Sequence, residues 1–309
     1  MVIVYSFGLQ AKRILDFYGN LFEEIEVVID RKCQTILDGK YKCISWENFV
    51  ENKDKYVSNV IIIGTEKYEK EVRKKIVDSG LFLDKNILRI SDWARMCAIQ
   101  KTQQLMYTAG AIDKNLLKNA KVMPGRDDVL SMMPRNMVVA EVGVAFGGFS
   151  RKILDNMHPS KFYAVDIFED SVKGFWGSNI LEDTNMTHYE WYKNKFSKEI
   201  AAEIVELRKG YSWECLEQFP DNYFDYVYLD AAHDYISVSR DVEVLKRVVK
   251  AGGIIQFNDY ILCDYTVIGT PPYGVMPVVN KLVNDTKSEV LYYCLSLSGF
   301  DDIVVRLNK

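Results

Sequence analysis

The chain has 309 residues, 48% of them hydrophobic and 27% charged, and its 39 Lys and Arg against 43 Asp and Glu leave a net charge of −4. That length suits two globular domains, and the slight acidic excess argues against broad nucleic-acid binding, which depends on neutralising phosphates with Lys and Arg. No apolar run reaches the roughly 18–20 residues of a membrane span, and no basic region precedes the apolar start Met1–Phe7, so it does not read as a signal peptide.

The first ninety residues alternate strand and helix signals. Val2–Tyr5 is an apolar run followed by Gly8, and Ala11–Tyr18 then sets Ile14, Leu15 and Tyr18 at helical spacing. Ile25–Ile29, Val60–Ile63 and Ile87–Ile90 read as further strands. Glu66–Ser79 reads as a helix stopped by Gly80, where a left-handed residue ends a helix cheaply. Strands alternating with helices imply a parallel sheet, because parallel strands need crossovers. Residues 1–93 are therefore expected to form a small α/β domain. Residues 94–134 read as helices joined by Pro124-Gly125 and ended by Pro134, a connector.

A second domain is expected over 135–309. Its strands are Val138–Val142, Phe162–Val165, Ile204–Leu207, Tyr226–Leu229 and Ile254–Phe257. Ser150–Asn156 reads as a helix. Ser237–Lys250 reads as another, with Val238, Val242, Leu245, Val248 and Val249 inward and Gly252-Gly253 as its stop. Leu291–Leu295 and Ile303–Leu307, separated by Ser298-Gly299, suit an antiparallel hairpin. The expected fold is thus α/β: five parallel strands plus a carboxyl-terminal hairpin, preceded by the smaller domain.

Ligands of open parallel sheets bind outside the carboxyl ends of the strands. The first strand of the second domain runs into Glu141-Val-Gly143-Val-Ala-Phe-Gly147-Gly148-Phe-Ser150. Gly143 permits a sharp turn, and Gly147 and Gly148 permit close approach at a helix start. The second strand ends in Asp166, suited to two ribose hydroxyls. The third leads to Gly210-Tyr-Ser212-Trp213, a hydroxyl and an aromatic that could bracket a base. The fourth ends in Asp230. The loop is GxxxG, without the GxGxxG of dinucleotide sites or the Lys-Ser/Thr of a phosphate loop. A nucleoside bearing an amino-acid tail suits it better than a pyrophosphate.

These segments resemble the class I S-adenosylmethionine-dependent methyltransferases, with their Rossmann-like sheet. The resemblance covers about residues 120–309 and rests on Ala140–Ser150, Tyr163–Asp166, Asp225–Tyr235 and Ala251–Tyr260. Within the class the chain is most similar to the methyltransferase-24 and macrocin-type O-methyltransferases, many of them associated with sugars or surface polysaccharides. The resemblance implies that Glu141, Gly143 and Gly147, with Ser150 and Asp230 nearby, line the methionine part of S-adenosylmethionine. It also implies that Asp166 holds the ribose and that Ser212 and Trp213 meet the adenine.

Asp230-Ala-Ala-His233 and Asn258-Asp259 come from neighbouring strand ends. O-methyl transfer needs an acceptor oxygen in line with the methyl group and a group that takes its proton. His233 suits the base, with Asp230 in support. The resembled enzymes use D-x-x-H for a metal ligand and a base, and an acidic pair after the next strand. A divalent cation such as Mg²⁺ on Asp230, Asn258 and Asp259 is the corresponding expectation. The chain departs from the pattern at Asn258, where an acid is usual. The plainer readings are a structural carboxylate for Asp259 and a satisfied loop histidine for His233. His158 and His188 read as surface residues. Phe175, Trp176, Tyr189, Trp191 and Tyr192, hinged at Gly174 and Gly177, read either as a lid over the acceptor or as packing on the sheet.

The amino-terminal domain resembles the small Rossmann-like domains attached to sugar-modifying bacterial enzymes. Lys12 and Arg13 near a helix start could favour an anion there. Six cysteines without a CxxC or Cys/His ladder read as reduced thiols, and hence a cytoplasmic protein. The expected function is methylation of a small-molecule or glycan acceptor in bacterial surface-glycan or secondary metabolism, a homo-oligomer being compatible. The alternatives are a nicotinamide-dependent oxidoreductase and a non-catalytic nucleoside-binding scaffold.

Overall fold

A computed structural model describes residues 2–8, 11–12, 14, 25–31, 36–37, 41–65, 67–108, 110–169, 181, 184–264 and 272–309. It divides into two compact units, Met1–Gln103 and Gln104–Lys309.

The first unit runs β1 (Val2–Tyr5), β2 (Ile25–Ile29), β3 (Ile36–Leu37), β4 (Tyr41–Ile44), α1 (Trp46–Glu51), β5 (Ile61–Ile63), α2 (Glu69–Asp78), β6 (Ile87–Arg89) and α3 (Ile90–Thr108). The sheet order is β3-β4-β2-β1-β5-β6, parallel except for the β3–β4 pair. Strand side chains alternate between faces. Ile3 and Tyr5 accordingly join Val27, Ile29, Phe49 and Ile76 in one cluster, while Val2 joins Ala11, Ile62, Ile90 and Trp93 in another. With both faces covered, β1 is buried throughout. The expected helix Ala11–Tyr18 lies mostly outside the described residues, as does Arg13. Lys12 is exposed, its amide bonded to the Gly8 carbonyl at 3.0 Å.

The second unit contains β7 (Lys121–Met123), β8 (Val138–Val142), α4 (Gly148–Met157), β9 (Lys161–Asp166), α5 (His188–Lys195), α6 (Ser197–Ala201), β10 (Val205–Lys209), α7 (Ser212–Glu217), β11 (Phe224–Leu229), α8 (Tyr235–Val248), β12 (Val249–Phe257), α9 (Val275–Thr286), β13 (Glu289–Cys294) and β14 (Asp302–Arg306). The sheet order is β10-β9-β8-β11-β12-β14-β13-β7. The strands β10, β9, β8, β11 and β12 are parallel, and β14 and β13 add the antiparallel hairpin. The strand pattern predicts these five parallel strands and the hairpin, and their order is the Rossmann-like arrangement that the resemblance implies. Chain order reverses at β8, so the crevice between β8 and β11 is the switch point where a ligand fits.

Two local expectations are corrected. Residues 94–134 are not helical throughout. After α3 come 3-10 turns at Lys114–Leu117 and Leu130–Met132, and β7 pairs parallel with β13. The helix α8 ends at Val248, before the glycines, because Val249 is already extended and opens β12. Gly252, at φ +76°, and Gly253 instead sit within the strand, where they exchange backbone bonds with Leu307.

The Asp234 carboxylate caps α8, accepting from the amides of Ile236 and Ser237. Val238, Val242, Leu245 and Val248 face the core, as their spacing predicts. Asp241 shares that face. It is fully buried, with the Ser212 side chain beside it, and burial pushes its pKa up to about 7. A raised folded-state pKa gives stability that is full below the ordinary carboxylate value and is lost as pH rises through about 7. Ionising this acid inside the fold costs up to about 4 kcal/mol. Asp241→Asn is expected to stabilise the protein by about 1–3 kcal/mol at pH 8, an amide being cheaper to bury than a charge. The gain should vanish at pH 4. Urea unfolding at the two pH values measures both, and a lower midpoint for the variant at pH 8 would contradict the assignment.

Candidate active site

Backbone hydrogen bonds extend the sheet one step past its strands and set the strand-end residues in a row. Gly210 N–H donates to the Asp166 carbonyl at 2.9 Å and Gly143 N–H to that of Val165 at 2.8 Å. On the other side of the switch point, Asp230 N–H donates to the Val142 carbonyl at 2.8 Å and Asn258 N–H to that of Leu229 at 3.0 Å. Gly143 has φ +86°, and a Cβ there would lie 1.9 Å from the Asp230 carbonyl oxygen. The loops after β8 and β11 therefore touch, and only glycine allows it.

Every peptide of the loop from Gly143 to Gly147 is held. Asp166 Oδ2 accepts from Val144 N–H at 2.9 Å and Ala145 N–H at 3.3 Å, while Oδ1 accepts from Phe168 N–H at 2.7 Å. His188 Nε2 lies 2.6 Å from the Ala145 carbonyl, and Lys195 Nζ donates to that of Phe146 at 2.5 Å. His188 is thus buried, not on the surface, packed between Phe146 and Phe168. A Cβ on Gly147 would meet the Phe196 ring at 2.5 Å and the Tyr192 ring at 2.9 Å. Tyr192 and Phe196 are fully buried, and Tyr192 OH donates to Ser150 Oγ at 2.8 Å. These aromatics pack α5 and α6 onto α4. The proposed lid residues Phe175 and Trp176, with Gly174 and Gly177, lie outside the described residues. His158 is exposed, at the left-handed cap of α4.

Glu141 is buried on β8. The Ser150 side chain is its hydrogen-bonding neighbour, Oε2 has no partner among the described residues, and burial raises its pKa well above the ordinary value. Ser212 opens α7 beside Asp241, and Trp213 stacks on Tyr211 at 4.9 Å with the Arg240 guanidinium 5.3 Å from the Trp213 ring centre.

Across the switch point, four side chains converge. His233 Nε2 lies 3.3 Å from Asn258 Oδ1, 3.5 Å from Asp259 Oδ2 and 3.6 Å from Asp230 Oδ1. The imidazole stacks on Tyr273 at 4.8 Å, and Gly274 N–H donates to the His233 carbonyl at 2.7 Å. Burial lowers the His233 pKa against the opposing pull of Asp259, so the ring is neutral at neutral pH. Burial raises Asp230 to about 7, with Arg126 pulling the other way.

Arg126, from the turn after Pro124-Gly125, donates to Tyr228 OH at 2.9 Å, lies 3.9 Å from Asp230 Oδ2, and covers the Phe149 ring. Nothing in its sequence surroundings marks it. Asp302 and Gln256 are equally unmarked except as polar residues in apolar strands, and both are buried beneath Asn258. The structure thus brings together Asp230, His233, Asn258 and Asp259 on one side, and Glu141, Gly143, Gly147, Ser150 and Asp166 on the other. Ser212 and Trp213 follow along the same row of strand ends.

This sheet order with its strand-end residues defines the class I S-adenosylmethionine-dependent methyltransferases. Residues 140–260 match the methyltransferase-24 family, described as a methyltransferase domain. The second unit thus carries a methyltransferase domain, which counts against the nicotinamide-dependent reading. Among solved structures, the chain is similar to precorrin-6y C5,15-methyltransferase from Geobacter metallireducens, at 14% identity over 59% of this chain and 87% of that one, with a TM-score of 0.40. It is also similar to an O-methyltransferase from Bacillus cereus in complex with SAH, at 15% identity over 69% and 90% of the two chains, TM-score 0.42. An O-methyltransferase family protein from Burkholderia thailandensis matches at 13% identity over 59% and 55%, TM-score 0.42. No curated protein matches the chain. Among the described residues, no helix is long and apolar enough to cross a membrane.

Proposed function

We propose that this domain transfers the methyl group of S-adenosylmethionine to a hydroxyl oxygen of a small saccharide-like acceptor, with His233 as the general base. The observation that carries the reading is the convergence on His233: a half-buried imidazole, neutral at neutral pH, beside Asp230 and Asp259 at the switch-point crevice. A neutral imidazole can take a hydroxyl proton as the oxygen attacks, and the two carboxyls stabilise the resulting cation. The saccharide acceptor, and a place in surface-glycan or secondary metabolism, rest on the resemblance to macrocin-type enzymes. Cys215, Cys263 and Cys294 are free thiols, which supports a cytoplasmic setting. The proposed division is residues 1–93, a connector at 94–134 and a methyltransferase domain at 135–309, with Lys121–Met123 of the connector joining that domain's sheet.

The crevice fits S-adenosylmethionine. Glu141 offers a buried, unpaired carboxyl oxygen to the cationic end of the cosubstrate. An ionised carboxylate has about four lone-pair sites, and three amides occupy Asp166, which leaves capacity for a ribose hydroxyl. A divalent cation on Asp230, Asn258 and Asp259 has no support from the geometry: the Asn258 amide is oriented by Asp302 and His233, and among the described residues no group of three His, Cys, Asp or Glu is placed to hold a metal ion.

Two measurements test the reading. Tritiated S-adenosylmethionine offered with hydroxyl-bearing sugars and with amines should label the sugars, and label found only on amines would overturn O-methylation. Asp166→Ala should weaken S-adenosylhomocysteine binding by about 1–3 kcal/mol in calorimetry, the scale of charge-assisted hydrogen bonds. Unchanged affinity in a folded variant would remove Asp166 from the cosubstrate site.

A further inference from the structure

Beneath the crevice a line of buried polar side chains runs from β11 to His233. Tyr226 OH donates to Gln256 Oε1 at 2.6 Å. Gln256 Nε2 donates to Asp302 Oδ2 at 2.7 Å, and Asn258 Nδ2 donates to Asp302 Oδ1 at 3.1 Å. Asn258 Oδ1 faces His233 Nε2 at 3.3 Å. Tyr226, Gln256, Asn258 and Asp302 are all buried. Such a network is costly unless each member is satisfied, and here each amide has its NH₂ on Asp302 and its oxygen elsewhere.

The orientation has a chemical consequence. An amide that gives its NH₂ to a carboxylate must turn its carbonyl oxygen the other way. Asn258 therefore presents an acceptor to His233 Nε2, and that nitrogen must carry the hydrogen. Asp230 Oδ1 and Asp259 Oδ2, at 3.6 and 3.5 Å from the same nitrogen, are acceptors too. A neutral imidazole has one protonated and one bare nitrogen. Among the described residues no hydrogen bond is made to Nδ1.

We propose that Asp302 is a positioning residue which, through Asn258, holds His233 in the Nε2–H tautomer, so that Nδ1 is the nitrogen that receives the acceptor's proton. The inference rests on His233 being the base. In the step, a lone pair of the acceptor oxygen forms the bond to the methyl carbon. The S–CH₃ bond breaks with its electron pair left on sulfur, giving S-adenosylhomocysteine. The hydroxyl proton passes to Nδ1, and the imidazolium keeps its Nε2–H toward Asn258, Asp230 and Asp259. Asp302 reaches the site only because β14 is antiparallel to β12, with Ile303 opposite Phe257.

The chain has three histidines, so ¹⁵N labelling of histidine yields few ring-nitrogen signals, and His233→Asn assigns those of His233. In the wild-type protein at pH 8, Nε2 should resonate as protonated and Nδ1 as bare. In Asp302→Asn the Asn258 amide can turn, the other tautomer should appear, and turnover should fall about 10–100-fold, the scale of losing an outer partner of a working imidazole. S-adenosylhomocysteine affinity should stay unchanged. An Nδ1–H tautomer in the wild-type protein would overturn the proposal without any variant having to fold. Lost turnover in Asp302→Asn with the wild-type tautomer retained would overturn it too, since a merely structural role does that. The spectrum is read without activity, so failure of His233 as the base is seen separately, in the turnover of His233→Ala.

Discussion

His233→Ala is expected to lower methyl-transfer turnover by about 10²–10⁴-fold, the usual contribution of a positioned base. Binding of S-adenosylhomocysteine should persist, because Glu141 and Asp166 lie on the other side of the switch point, on β8 and β9. The base must be neutral to act, and burial sets its pKa below the ordinary imidazole value near 6.5. The rate should therefore fall on the acid side as the imidazole protonates, and Asp230, raised to about 7, should add to the fall as its carboxylate is neutralised below that value. Steady-state kinetics over pH 5–9 with calorimetry of the variant checks each part. Near-normal turnover in His233→Ala would leave positioning of an already reactive acceptor as the better account.

Gly143→Ala carries the second large effect. The added methyl would lie 1.9 Å from the Asp230 carbonyl oxygen, 2.6 Å from its carbon and 2.9 Å from Ala231 Cα. All three are backbone atoms that cannot rotate away, and φ +86° is itself unfavourable for alanine. Parting the loops after β8 and β11 would displace both the held loop at Val144–Gly147 and the strand end that carries Asp230 and leads to His233. A loss of about 3–5 kcal/mol in stability is expected, with loss of cosubstrate binding. Gly148→Ala is the internal control, since a Cβ there meets nothing within 4 Å. Equal stability of the two variants in urea unfolding would show that the contact is not tight.

Much of the parallel sheet could be read from short-range pattern. Val138–Val142, Tyr226–Leu229 and Ile254–Phe257 are apolar runs because a strand covered on both faces must be apolar on both. Their ends showed where Gly143, Asp166 and Asp230 would gather, since a parallel sheet aligns its carboxyl ends. Pattern failed where the partner lies far along the chain. Lys121–Met123 looked like part of a helical connector, but it becomes an edge strand because β13 offers unpaired backbone groups to it. His188 looked like a surface residue because no partner pattern surrounds it, yet Thr187 and Glu190 form a capping box that starts α5, and the imidazole meets the Ala145 carbonyl.

By itself, the sequence determined the class of fold, the order of the strand-end residues and the D-x-x-H pairing of Asp230 with His233. Each depends on residues close in the chain, where 2-residue and 3.6-residue periods decide direction. Only the tertiary structure decided what surrounds His233. Asn258 is turned by Asp302 from a strand more than forty residues later, Tyr273 covers the ring, and Arg126 reaches Asp230 from a turn roughly a hundred residues earlier. The orientation of an amide and the tautomer of an imidazole follow from which donors and acceptors are buried together. Burial is a property of the packed sheet, so no local pattern of residues encodes it.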